Sequence, residues 1–222
     1  MQFIGETIVS EWKEILKRSL FALGVGAVSI IYPLINSYRG GERIIEVYID
    51  RIIPFNRYFV IPYISWYVYV ILFMVIFCII NERTYYRLLI SLGAGMIICY
   101  VTFIIFPTTV PRPTIVTSDI LSRLVLNIYQ NDNPYNCFPS VHVVNAMIVS
   151  IYVNREERFT KLTKIISSLV AILIIISTMF IKQHVFVDVV SGILVAYAVY
   201  MAIYSYDIIK KRISAKARMT KK

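Results

Sequence analysis

Charge is what this sequence has least of: only 16% of its 222 residues are Asp, Glu, Lys or Arg, and the acidic ones number 13. Such low charge excludes an ordinary soluble domain, because 58% hydrophobic residues and a mean hydropathy of +0.69 leave too little polar surface to face water. Cysteine and histidine are scarcer still, at three and two copies. Cys78 and Cys99 lie inside apolar runs and Cys137 stands apart, so the odd, scattered set excludes a disulfide framework, and no zinc-ligand spacing is present. Residues 1–18 lack the basic start and small-residue cleavage site of a signal peptide, since Glu6, Glu11 and Glu14 interrupt them.

What the chain does have is long apolar runs. A bilayer core takes roughly 20 apolar residues per helix. Spans are expected near 19–36, 58–80, 88–106, 138–153, 163–181 and 185–209, the fourth being the shortest. The predicted fold is therefore all-α: a polytopic membrane protein with a six-transmembrane-helix bundle and interfacial amphipathic helices. Ile4, Ile8, Trp12 and Leu16 recur every four residues, which makes 1–18 an amphipathic interfacial helix ahead of the membrane domain 19–209. A second short helix is expected to lie on the leaflet within 42–57, and Tyr63, Trp66 and Tyr67 read as an aromatic belt anchoring the next span.

Positive charge orients the bundle. With the N-terminus inside, sixteen of the 23 basic residues fall on the inner side, seven of them in the tail 210–222. The expected arrangement has both termini cytoplasmic, with 37–57, 107–137 and the turn at 182–184 on the outer face, and a bacterial inner membrane is the expected setting. The basic tail enforces that topology and binds anionic lipid headgroups. Nothing in it has the aromatic interleaving of a nucleic-acid binder.

Three polar segments converge on the outer face: "PTTVPRPT" at 107–114, "YNCFPSVHVVNA" at 135–146 and "KQHVFVD" at 182–188. Together they hold both histidines, and ionisable groups at the hydrocarbon edge call for a functional reason. His184 and Asp188, four apart, share one helix face, where the carboxylate fixes one ring nitrogen and leaves the other as a basic lone pair. That suits a nucleophile or a base. Pro139 opens a helix, so the N–H groups of Ser140, Val141 and His142 are expected to grip an anion, phosphate above all. Ser140 adds a hydroxyl, Arg112 a planar fork for two phosphate oxygens, and His142 a proton for a departing oxygen.

These residues resemble the type 2 phosphatidic acid phosphatase superfamily, whose signature is K-x6-R-P, then P-S-G-H, then S-R-x5-H-x3-D. The matching pieces are Arg112-Pro113, then Pro139-Ser140-Val141-His142, then Ser177, His184 and Asp188. The resemblance implies a reaction without metal or cofactor: His184 attacks phosphorus to give a phosphohistidine, Asp188 orients it, and His142 protonates the leaving group. Ile105, Val141 and Thr178 stand where the family carries Lys, Gly and Arg. Lys182 is the first candidate to replace a missing cation and Arg123 the second. The segments around 50–70, 137–143 and 182–184 are also similar to the branch of inositol phosphorylceramide and sphingomyelin synthases.

The leading expectation is a lipid phosphatase of the outer leaflet, acting on a phospholipid or isoprenoid phosphate, with membrane lipids as its surroundings. The alternative is a phosphotransferase that moves a phospholipid headgroup to an alcohol. A proton-coupled carrier is a third reading; it requires ionisable groups near the membrane midplane and broken helices.

Overall fold

The computed structural model describes residues 2–116 and 119–219. Its helices are α1 (Gln2–Leu20), α2 (Ala22–Ile35), α3 (Tyr48–Ile52), α4 (Val60–Ile80), α5 (Glu82–Ile105), α6 (Ile120–Asn131), α7 (Val141–Arg155), α8 (Lys161–Phe180) and α9 (Phe186–Met219). Among the described residues five segments are long and apolar enough to cross a bilayer: Glu11–Ile35, Arg57–Ile80, Glu82–Ile105, Lys161–Phe180 and Phe186–Tyr206. Their outward positions are large and aliphatic, such as Leu34, Ile71, Ile105, Leu169 and Leu194, as a lipid-facing surface requires.

Two elements differ in length or position from the segments expected above. The first concerns α7, the fourth span of the sequence reading. Its 15 residues reach about 22 Å, short of a hydrocarbon core of about 30 Å. It packs against α4, α5, α8 and α9, and ten of its residues are buried. The second concerns 1–18. The helical kink falls at Glu11, not at the edge of the apolar run, and from there the chain runs helically through Phe21 to Ile35. The 14 residues of α2 are too few to cross alone, so the stretch from Glu11 supplies the missing length.

Glycine admits α7 between its neighbours. A Cβ on Gly95 of α5 would lie 2.6 Å from a Val144 methyl, and one on Gly192 of α9 would lie 2.9 Å from Val143 Cβ and 3.1 Å from the Ser140 carbonyl. Gly192→Val therefore forces the start of α9 off the start of α7. We expect a loss of about 1–3 kcal/mol, read as a lower midpoint of thermal unfolding in detergent.

The bundle has two distinct ends. At one, Asn81 between α4 and α5 donates to Glu156 beyond α7 at 2.6 Å, and Arg18 pairs with Glu82 at 3.0 Å. At the other, the chain segments between α2 and α4, between α5 and α7, and between α8 and α9 meet. Isolated bridges join Arg43 to Thr108 and Thr109 to Tyr135. The Thr108 hydroxyl accepts the N–H groups of Cys137 and Phe138, both at 3.1 Å. These contacts deliver both histidines to one place.

Candidate active site

The turn carrying His184 is tightly wound. After α8 ends at Phe180, the N–H groups of Gln183 and His184 both donate to the Thr178 carbonyl, at 2.9 and 3.1 Å. Lys182 takes φ 54°, a left-handed conformation that a lysine holds only when its surroundings fix it. Those surroundings are α3. Lys182 Nζ donates to the carbonyls of Asp50 at 3.0 Å and Ile53 at 2.6 Å, while Asp50 Oδ1 accepts the Phe186 N–H at 2.7 Å. On the opposite side the Tyr129 hydroxyl donates to the Ile181 carbonyl at 2.7 Å. Burial pushes that phenol up to about 12, so it keeps its proton at neutral pH.

Beyond the turn, His184 Nδ1 lies 3.3 Å from Oδ2 of Asp188, which is fully buried and also accepts the Val185 N–H at 3.0 Å. A carboxylate at Nδ1 favours the Nδ1–H tautomer and leaves Nε2 with the lone pair. The Asp188 carbonyl accepts the Ser140 N–H at 3.2 Å, which joins the start of α9 to the start of α7 by main chain alone. His142, in the first turn of α7, therefore stands beside His184, with ring centroids 5.8 Å apart. Tyr63 and Trp66 of α4 hold its ring, each with a centroid 4.6 Å away.

Both imidazoles face one cavity of about 530 Å³. Its walls come from α2, α4, α5, α6 and α7, and include Tyr32, Tyr63, Trp66, Tyr100 and Phe103. At its rim Asp132 uses Oδ1 to accept from the Tyr32 hydroxyl and from Asn36, both at 2.7 Å. Burial raises the Asp132 pKa above the ordinary carboxylate value.

The other site residues expected from sequence are placed differently. Ser140 is fully buried, and its oxygen caps α7 by accepting the Val143 N–H at 3.4 Å. The hydroxyl thus serves the helix end, and its own N–H is taken by Asp188. The N–H groups of Val141 and His142 are the α7 donors that meet no protein acceptor among the described residues. Val141 lines the cavity. Arg112 points its fork at protein: Nη1 donates to the carbonyls of Tyr129 at 3.2 Å and Asp132 at 2.8 Å, and Nη2 to Gln183 at 2.6 Å. The guanidinium sits 4.3 Å from the Tyr129 ring centroid and neutralises the carbonyl end of α6. Lys182 is placed in the same way, its ammonium ending on two carbonyls of the α3 segment. Lys182→Met should lower turnover about tenfold by loosening the His184 turn, at roughly 1.5–3 kcal/mol per charged hydrogen bond lost. Inhibition by vanadate should be unchanged and Lys182→Arg should recover part of the rate; weaker vanadate inhibition in the Met variant would show that Lys182 does reach phosphate.

A family model described as the PAP2 superfamily matches residues 42–202, most of the chain and all of the site above except its α2 wall and Asn36. The chain belongs to the PAP2 superfamily. A comparison with curated proteins finds no match. Membership and the five apolar segments fit a membrane phosphatase or phosphotransferase. Relative to the PAP2 signature, Ile105 is 76% exposed at the end of α5, and Thr178 is fully buried with its hydroxyl on the Ile175 carbonyl. Neither position offers a cation or a substitute for one.

Sequence reasoning missed four contributors to this PAP2 site. Tyr63 and Trp66, expected at headgroup depth, turn inward onto His142; their spacing of three places them on one face of α4, which was the available sign. Asp132 sits in "NDNPYN", where turn chemistry is the obvious reason for a polar residue. Asp50 gave no signal at all.

Proposed function

We propose that this PAP2 protein is an integral membrane lipid phosphatase that cleaves a phosphate ester of a phospholipid or isoprenoid phosphate through a phosphohistidine at His184. The observation that carries the reading is the shared cavity: a histidine oriented by a buried carboxylate, with a second imidazole 5.8 Å away. His184 Nε2 donates its lone pair to phosphorus as the phosphorus–oxygen bond to the alcohol breaks. The departing oxygen takes the bond pair and a proton from His142. Water, giving a proton back to His142, then displaces His184 from phosphorus and releases phosphate. The N–H groups of Val141 and His142, at the positive end of α7, hold a non-bridging oxygen. No step uses a metal or cofactor.

The positive-inside rule sets the Arg83, Arg87, Arg155 and Arg158 end in the cytoplasm and the histidines at the outer leaflet, with both termini inside. A bacterial inner membrane fits this arrangement. Histidines gathered at one end of the bundle do not match a carrier, which needs its ionisable groups at the midplane.

The phosphotransferase reading keeps the nucleophile and replaces water with an alcohol. It is favoured by Asn127, Asn131 and Asn136, whose places on the cavity wall suit the binding of an acceptor hydroxyl. Incubating the purified protein with phospholipid labelled in its phosphate separates the two. Free phosphate supports hydrolysis; headgroup transfer that depends on an added alcohol supports the transferase; neither product rejects both.

A further inference from the structure

The cavity beside the histidines has an unusual charge balance for a protein expected to handle phosphate. Among the described residues no lysine or arginine lines it. The cations nearest in sequence to the site end elsewhere: Lys182 on the carbonyls of Asp50 and Ile53, and Arg112 on those of Tyr129 and Asp132 and on the Gln183 amide. The wall instead offers tyrosine, tryptophan and phenylalanine rings, three asparagines and the carboxylate of Asp132. Oδ1 of that carboxylate holds two donors, from Tyr32 and Asn36, and Oδ2 meets no donor among the described residues. Rings present their negative faces to a ligand and favour neutral or cationic groups.

Geometry assigns this space to the leaving group. His142, which hands over the proton, lines the cavity and is held in place by rings of that same wall. We infer that the group departing from phosphorus must carry no negative charge, so the site takes phosphate esters of neutral or cationic alcohols and refuses diphosphates. The inference rests on the phosphoryl-transfer reading above. Attack on the terminal phosphorus of a diphosphate would drive a second phosphate into a chamber with no cation to receive it and an acid already on its rim. Like charges a few ångströms apart in a partly desolvated site repel strongly, and the Arg112 charge near Asp132 offsets this only in part.

The test uses the full chain in detergent with a matched pair, farnesyl monophosphate and farnesyl diphosphate, following phosphate release from each. The monophosphate should be preferred by about 100-fold in kcat/KM. Asp132→Asn keeps an acceptor for the Tyr32 hydroxyl and should narrow that ratio about tenfold, whatever it does to either rate alone. Comparable or better turnover of the diphosphate by the unaltered protein overturns the inference and leaves the phosphatase reading standing. An unchanged ratio in a folded Asp132→Asn protein also overturns the part assigned to Asp132. Release from neither ester, with no headgroup transfer from a labelled phospholipid, removes the underlying function and the inference with it. Should the variant fail to fold, the ratio measured on the unaltered protein decides alone.

Discussion

His184→Ala should reduce phosphate release by at least ~10⁴-fold, the scale seen when a nucleophile is removed from a unit that acts together. The fold should survive. Asp188 keeps the Val185 N–H on the same Oδ2, and its carbonyl keeps the bond to Ser140 that registers α7 against α9. Unfolding in detergent should therefore shift little while turnover vanishes. A quench with labelled substrate should trap an acid-labile, base-stable phosphoenzyme in the unaltered protein and none in the variant. Residual activity within tenfold of the original in His184→Ala would remove the nucleophile assignment.

His142→Ala should show an effect that depends on the leaving group. With an alkyl ester, whose alkoxide leaves badly without a proton, the loss should be about 10²–10⁴-fold, the usual worth of a positioned acid. With p-nitrophenyl phosphate, whose phenolate leaves unaided, the first step should slow less than about tenfold by the same reasoning. Breakdown of the intermediate still needs a base for water, so phosphoenzyme should accumulate as a burst. Equal losses in the first step on both substrates would mean that His142 shapes the site without donating a proton. His142→Ala also leaves a gap between Tyr63 and Trp66, so a stability measurement must accompany the kinetics.

The parts of the site legible in the sequence are those written at short range. His184 and Asp188 sit four apart, and the helix turns that spacing into a 3.3 Å contact. Pro139 and Ser140 announced the start of α7, although the helix opens at Val141 with Ser140 as its cap. Long-range partners left no periodic trace. Asp50 meets Phe186 across 136 positions, and its sequence surroundings suggested only a helix resting on the leaflet. Cations were the least legible. A lysine two residues before His184 looks like a phosphate ligand, yet open carbonyls at the end of a short helix compete for it first. The same competition, from α6, claims Arg112. The hydrophobic pattern also could not tell a helix that faces lipid from one packed mainly against other helices, as α7 is.

A helix wrapped by protein on every flank has nothing to anchor it in oil by itself. α7 carries His142, yet two of its four walls, α8 and α9, follow it out of the ribosome, while α4 and α5 precede it. The main-chain bond from Ser140 to Asp188 that sets the two imidazoles side by side can therefore form only once the last helix has docked.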